Sequence, residues 1–389
     1  MTKICVLLLL ISLLFPAFSN LMANTNVSDK DSVNTTQTHQ LNLPKYFYKR
    51  FEGTTNNEIN IVMNLIRRNN LLTGSYYYVA NGKPIIFNFK SRITNNGRFY
   101  LAEYSGQYDI ENIPEISGEF SGEFINDHSI VGTWKSPQSA IKYHFELVES
   151  YPAGSVRLNL KNYAKNYYYK NRKAAAINFI FTQLYDYLDK KTEDSINYGI
   201  AYSFIKNCSF QDSSKSLTSF ESVMDNFVKQ YKGDEIDTTS LSDYFRKWEN
   251  YYSNIVLFNS NNILAIENID YFDCGGAHSS ANYIYQNFNV LTGRTITLSE
   301  LLKPNFKELL DRIGWYRFYE TYNNQDPPAY KIDEFHLNDN FSISKLGLTF
   351  KFEEYEISSY SFGAPEVFIP YSDMKDLIKP DGLLAQFIK

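Results

Sequence analysis

Hydrophobic and polar residues alternate in short runs along the first third of the chain, where a glycine repeatedly stands two positions before an aromatic residue. Residues two apart on a strand share a face, and a glycine lets a sheet bend while a neighbouring aromatic ring covers the gap. The pairs are Gly74 and Tyr76, Gly97 and Phe99, Gly106 and Tyr108, Gly118 and Phe120, Gly122 and Phe124, and Gly132 and Trp134. The pattern predicts an all-β module over residues 45–150, a curled antiparallel sheet or small barrel with most of these rings in its core.

The spacing of apolar residues changes beyond Tyr151, where Pro152 and Gly154 mark a boundary. Residues 172–190 and 217–231 carry apolar side chains at helical spacing, which predicts two helices. Asn305 and Glu308 form a capping-box pattern that predicts a third helix, with Leu309, Leu310 and Ile313 on one side.

Strand patterns return in the rest of this region. They occupy residues 251–258 and 263–271, joined by a turn at 259–262, and then residues 283–290, 294–298, 348–352, 355–357 and 367–369. Helices beside an antiparallel sheet, without regular strand and helix alternation, indicate an α+β domain over residues 151–389.

Residues 1–23 have the pattern of a secretory signal peptide. One charge, Lys3, precedes a short apolar run, and small residues precede possible cleavage sites after Ser19 and Ala23. The run is too short to span a bilayer, and Cys5 precedes it, whereas a lipoprotein signal places its cysteine afterwards. Residues 24–44 are polar and predict a flexible leader. We therefore expect a periplasmic or secreted protein with no transmembrane segment in the mature chain.

The charge of the chain argues against a nucleic-acid partner. The full sequence has a net charge of −5, which becomes about −6 once Lys3 is removed, and both signs are mixed along the chain. Nucleic-acid binding requires clustered lysine and arginine.

Two cysteines, Cys208 and Cys274, remain after processing, and an exported pair is a candidate disulfide. Two buried thiols and ligation of a metal are the alternatives. The histidines are scattered, whereas structural zinc sites place their ligands in close pairs, so we expect no metal and no cofactor.

Several separated motifs occur in an order that resembles a known domain. They are Gly275-Gly276-Ala277-His278, residues 287–293 with Gly293, residues 297–302, Gly347-Leu348-Thr349-Phe350, Tyr355, Tyr360, Gly363 and residues 367–371. Together they resemble an exported bacterial domain of unknown function that is shared by the lysozyme-sensing anti-sigma-V factor and a peptidoglycan deacetylase. The likeness covers residues 151–377, and it implies a binding domain that acts at the cell wall or meets lysozyme.

The stretch around His278 has a structural and a catalytic interpretation. Gly275 and Gly276 lie between strand-like segments, where they permit a tight or bulged connection, which favours a structural role for His278. A thiolate on Cys274 activated by His278 is the catalytic alternative, and acid–base chemistry with Asp333 or Glu334 is another.

We therefore predict an exported, non-enzymatic cell-envelope binding protein whose partner is a peptidoglycan-related glycan or a wall-lytic enzyme such as lysozyme. The aromatic content of 16% supports this, because aromatic rings offer large rigid contact areas. The predicted binding residues are Tyr76, Tyr78, Trp134, His278, Tyr355 and Tyr360. The alternatives are an envelope glycan hydrolase or deacetylase-like enzyme that uses His278 and a nearby carboxylate, and a purely structural assembly protein.

Overall fold

The computed structural model describes residues 41–87, 89–104, 116–169, 172–187, 189–207, 248–273, 279–322, 334–358 and 362–388. All of them belong to one unit that begins at Leu41.

The first part of this unit is an antiparallel sheet that closes on itself. Its strands are β1 (Tyr46–Thr55), β2 (Ile59–Arg68), β3 (Leu71–Tyr78), β4 (Ile85–Ile86), β5 (Arg92–Ile93), β6 (Arg98–Tyr104), β7 (Ile116–Asn126), β8 (Ser129–Lys135) and β9 (Lys142–Glu149). Their order is β2-β1-β9-β8-β7-β6-β5-β3, and the pairing of β2 with β3 completes a ring of eight strands, with β4 added beside β3. The prediction of a curled sheet or small barrel is confirmed.

A glycine on β3 explains the tight curvature of this closed sheet. Gly74 has a φ of +138°, and a Cβ atom there would lie 1.9 Å from the carbonyl oxygen of Asn64 on the neighbouring strand. Only glycine permits such a close approach, so β3 can bend sharply against β2. Phe51, Phe120 and Phe145 fill the interior, where each is completely buried.

The outer face of β1, β2 and β3 is buried as well, because a second sheet packs against it. This five-stranded sheet consists of β10 (Leu158–Tyr169), β11 (Arg172–Leu184), β12 (Trp248–Ser260), β13 (Ile263–Asp273) and β14 (Ser280–Asn289), in that order. Strands β11 and β12 run parallel, and the other neighbours are antiparallel. The predicted hairpin of β12 and β13 is confirmed, with Asn261 and Asn262 in the left-handed conformation at its turn.

Two helices are predicted in this region of the chain, and the described residues test only the first. The helix predicted over residues 172–190 is wrong, because residues 172–184 form β11, and helix α1 (Lys190–Asn207) follows. Ala176, Phe179, Ile180, Phe181 and Leu184 are all buried, so apolar residues occupy both faces of the strand and also satisfy helical spacing. The helix predicted over residues 217–231 lies outside the described residues.

The last part of the unit is a three-stranded sheet with helices. Its strands are β15 (Phe341–Ile343), β16 (Gly347–Lys351) and β17 (Glu366–Pro370), and its helices are α2 (Leu298–Leu301), α3 (Lys307–Tyr322) and α4 (Tyr371–Met374), followed by 3₁₀ turns at Lys375–Leu377 and Leu383–Phe387. The predicted third helix is α3, but Asn305 does not cap it, since its φ is +64°. The capping box instead joins Thr297 to Glu300 at the start of α2.

Two predicted strands in this part are wrong. Residues 294–298 contribute a single bridge, from Thr295 to Phe288, and residues 355–357 form a turn in which Tyr355 has a φ of +68°. The described residues are therefore mostly β, and α+β describes the fold only loosely. No helix among the described residues is both long and apolar enough to cross a membrane.

Candidate ligand-binding site in the closed sheet

A carboxyl group, that of Glu103, lies inside one end of the closed sheet. On β6, Phe99 and Leu101 occupy inward positions with 5% and 0% of their surface exposed, and Glu103 continues this alternation with 4% exposed. An acidic side chain therefore stands where the strand pattern calls for an apolar one. Burial of a carboxyl group is unfavourable unless polar groups form hydrogen bonds with it. The groups around Glu103 therefore indicate what kind of ligand the site can bind.

Three polar groups surround the Glu103 carboxyl. The Tyr76 hydroxyl donates a hydrogen bond to Oε2, and the Trp134 indole and the Ser117 hydroxyl lie beside it. Gly118 leaves room for this arrangement, since a Cβ atom there would lie 1.9 Å from Glu103 Oε1 and 2.7 Å from Trp134 Nε1. Burial raises the pKa of Glu103, and the three neighbouring donors oppose that rise. Burial and the charge of Glu103 raise the pKa of Tyr76 well above its ordinary value, so its hydroxyl stays a donor.

Aromatic rings extend from this carboxyl group towards solvent. Tyr76 is fully buried, and its ring contacts that of Tyr78 at a centroid distance of 5.5 Å. Trp134 pairs with Tyr143 across β8 and β9, with ring centroids 5.8 Å apart. Tyr78, Trp134 and Tyr143 are each half-buried. We call Tyr76, Tyr78, Glu103, Trp134 and Tyr143 the aromatic end.

Three of these five residues are among the predicted binding residues, namely Tyr76, Tyr78 and Trp134. Tyr76 has no exposed surface, and it serves the site through its hydrogen bond to Glu103. The sequence analysis did not identify Glu103 or Tyr143. A usable signal was present for Glu103, because a carboxylate in phase with Phe99 and Leu101 marks a polar group that faces into the sheet.

The other predicted site residues lie elsewhere. Tyr355 is 71% exposed in the turn after β16, and Glu334 is exposed. Gly293 and Gly363 have φ values of +71° and +77°, which only glycine adopts readily. The remaining predicted residues lie outside the described residues: Cys208, Cys274, Gly275, Gly276, Ala277, His278, Asp333 and Tyr360.

A second polar cluster is buried between β13, β16 and β17. Lys351 Nζ lies 2.8 Å from Glu267 Oε1 and 3.3 Å from Glu366 Oε1, and the Tyr285 hydroxyl donates to the same Glu366 oxygen at 2.9 Å. Burial raises the pKa of Glu267. Burial opposes ionisation of Glu366 too, but the ammonium groups of Lys351 and Lys83 hold its pKa below the ordinary value. Among the described residues, no group of three or more histidine, cysteine, aspartate or glutamate side chains could hold a metal ion.

The last part of the chain is similar to a known family of unknown function. Residues 299–372 match the model of the family described as "Protein of unknown function (DUF3298)". The crystal structure of a DUF3298 family member from Bacteroides fragilis NCTC 9343 is 17% identical, with a TM-score of 0.48 over 60% of this chain and 98% of that one. A DUF3298 family protein from Pseudomonas aeruginosa PAO1 is also 17% identical, with a TM-score of 0.43 over 59% and 97%. No curated protein matches this chain.

The family match agrees with the predicted resemblance at its coarser level, that of a domain of unknown function. The description of that family names neither the anti-sigma factor nor the deacetylase. The matched residues include β15, β16 and β17, and they contribute Lys351 and Glu366 to the buried polar cluster.

Proposed function

We propose that this protein is an exported, non-enzymatic binding protein of the cell envelope, and that its aromatic end receives a peptidoglycan-related glycan. The observation that carries the proposal is the arrangement of half-buried Tyr78, Trp134 and Tyr143 around the carboxyl group of Glu103. The signal-peptide pattern of residues 1–23 supports export.

The chemistry of a sugar fits this arrangement. A sugar ring presents apolar C–H faces and several hydroxyl groups, and half-buried aromatic rings provide flat apolar surfaces with polar edges. Glu103 is fixed by Tyr76 and can accept hydrogen bonds from ligand hydroxyls, while the phenol groups can donate them. Strands hold all five residues, so little conformational entropy is lost on binding.

Binding, as opposed to cleavage, is supported by the number of carboxyl groups. Most glycoside hydrolases use two carboxyl groups on either side of the scissile bond. The described strands contribute one carboxyl group, Glu103, to the inward face at this end. Glu119, on the neighbouring strand, instead pairs with Lys135 at 2.7 Å and accepts a hydrogen bond from Tyr100.

The test uses tryptophan fluorescence and calorimetry of the mature chain with soluble peptidoglycan fragments. We expect binding to change Trp134 emission, and Trp134→Ala to weaken affinity about tenfold or more through the loss of ring contact. Tyr316→Ala is the matched control, since Tyr316 is 57% exposed on α3, outside the closed sheet.

Three outcomes would overturn the proposal. The first is an absence of fragment binding, and the second is equal affinity of the wild type and Trp134→Ala. The third is the appearance of shortened or deacetylated fragments after long incubation. Lysozyme is tested in parallel at several salt concentrations, and salt-dependent binding of lysozyme without any fragment binding would replace the glycan with a protein partner.

A further inference from the structure

The carboxyl group of Glu103 has hydrogen-bond donors around it but no positive charge. Tyr76 donates to its Oε2 atom, and the Trp134 indole and the Ser117 hydroxyl lie beside it. In the part of the chain that the structure describes, no lysine, arginine or histidine lies close enough to lower its pKa. Hydrogen bonds satisfy the oxygen atoms of a carboxylate, but they do not neutralise its charge.

Two other buried carboxylates of this protein have a cation beside them. Glu149, on β9 of the same closed sheet, lies 2.6 Å from Lys49 Nζ, and Glu267 lies 2.8 Å from Lys351 Nζ. These pairs agree with the high cost of burying an ionised group without an opposite charge. The aromatic end differs from both sites, and a cationic ligand would supply the charge that Glu103 lacks.

Three half-buried aromatic rings accompany Glu103 at this end, namely Tyr78 on β3, Trp134 on β8 and Tyr143 on β9. The ring centroids of Trp134 and Tyr143 are 5.8 Å apart. Burial raises the pKa of Tyr78, and the neighbouring Glu103 and Tyr143 add to the rise, so these side chains lie close together. The face of an aromatic ring attracts a cation, and the attraction is strongest where water is excluded.

We propose that the aromatic end selects glycans that carry a primary ammonium group over glycans whose nitrogen atoms are all acetylated. The ammonium group lies against the exposed faces of Tyr78, Trp134 and Tyr143, and Glu103 supplies the opposite charge. Because the protein interior has a low dielectric constant, the carboxylate attracts the cation without direct contact. An acetamido group is uncharged and gains neither attraction. This inference rests on the proposed function, since it takes a glycan as the ligand.

The test is calorimetry of the full mature chain at pH 6 with two tetrasaccharides that differ only in acetylation, a tetramer of glucosamine and a tetramer of N-acetylglucosamine. We expect the glucosamine tetramer to bind about tenfold more tightly or better. A peptidoglycan stem peptide with a free side-chain amine is the third probe. Its affinity relative to that of the glucosamine tetramer shows whether the ammonium group belongs to the sugar or to the peptide.

Glu103→Gln keeps the size of the side chain and removes its charge, so the two tetramers should bind this variant with about equal affinity. Glu119→Gln is the matched control, because it also removes one negative charge. Glu119 lies on the neighbouring strand β7 and pairs with Lys135 at 2.7 Å, whereas Gly118 and Phe120 beside it face into the sheet. The control variant should keep the preference for the glucosamine tetramer.

The possible failures of this inference and of the proposed function differ. Equal binding of the two tetramers by the wild type would refute selection of an ammonium group and leave glycan binding intact. An unchanged preference in Glu103→Gln would overturn the role of Glu103 and show a general attraction of the acidic protein for a polycation. Failure of both tetramers and of all peptidoglycan fragments to bind would instead refute the proposed function itself.

Discussion

Asp270 places a carboxyl group inside the five-stranded sheet, on β13. Its side chain is 7% exposed, and Oδ1 has no hydrogen-bond partner. Burial raises its pKa from the ordinary value of 3.8 to about 6. The folded state therefore favours the neutral acid, and ionisation of Asp270 destabilises the folded protein.

Stability should consequently depend on pH through this residue. The unfolded chain releases the Asp270 proton near pH 4 and the folded protein near pH 6, so stability is full below pH 4 and falls as pH rises between these values. The loss is about 3 kcal/mol at neutral pH. Asp270→Asn should abolish this component, which urea unfolding of both proteins at pH 4 and pH 7 would measure. Equal pH dependence of the two proteins would contradict the assignment.

At the scale of single residues, the sequence identified part of the candidate site. Tyr76, Tyr78 and Trp134 were predicted as binding residues because glycine and aromatic pairs recur on strands. Their convergence at one end, and the presence of Glu103 and Tyr143 there, could not be predicted. Which strands become neighbours depends on closure of the sheet, and that closure is a property of long-range pairing.

At the scale of elements, the strands β12 and β13 were interpreted correctly although both of their faces are buried, whereas β11 was not. The hairpin of β12 and β13 has asparagine-rich turn residues that limit its register. Helix α1 covers one face of β11, and other parts of the fold cover the opposite face. The apolar residues of β11 therefore do not follow a single spacing along the chain. Such a strand cannot be distinguished from a buried helix by spacing alone.

The ion cluster of Lys351, Glu267 and Glu366 connects three strands and gives a test at this scale. Lys351 is 8% exposed and Glu267 is 1% exposed. Lys351→Met should destabilise the protein by about 3–5 kcal/mol, because Glu267 is then a buried charge without a partner.

The double variant Lys351→Met with Glu267→Leu should regain most of that loss, since Glu366, the carboxylate that remains, is 29% exposed and keeps its hydrogen bond from the Tyr285 hydroxyl. Chemical denaturation measures both effects. Glu320→Gln is the control, because it removes an exposed pair with Arg317 that should contribute less than about 1 kcal/mol. A single variant as stable as the wild type would show that Glu267 is neutral or solvated.

At the scale of the whole molecule, the closed sheet and the five-stranded sheet share buried surfaces. Arg50 is 1% exposed and donates from Nε to the Asn259 carbonyl at 2.9 Å, and Ser75 Oγ donates to the Val256 carbonyl at 2.6 Å. Val62 and Tyr77 pack in one core with Phe258. The separate all-β module predicted from the sequence thus has one outer face that is not a solvent surface.

We therefore expect residues 41–389 to unfold in a single cooperative transition. Urea unfolding is followed by far-UV circular dichroism and by tryptophan emission, in the wild type and in Trp134→Phe. Within each protein the two probes should give the same midpoint. Two separated transitions, with the Trp134 signal changing in one of them, would show that the closed sheet folds independently.

The seam between β1 and β9 determines the order in which the ring can assemble. Most other neighbours in the ring follow one another closely in sequence, whereas Lys49 and Glu149, which form an ion pair of 2.6 Å at the seam, are 100 residues apart. Closing so long a loop costs more chain entropy than forming a hairpin. We expect the hairpins to form early and the seam to set the folding rate, so mutations on β1 should slow folding more than mutations in the turns.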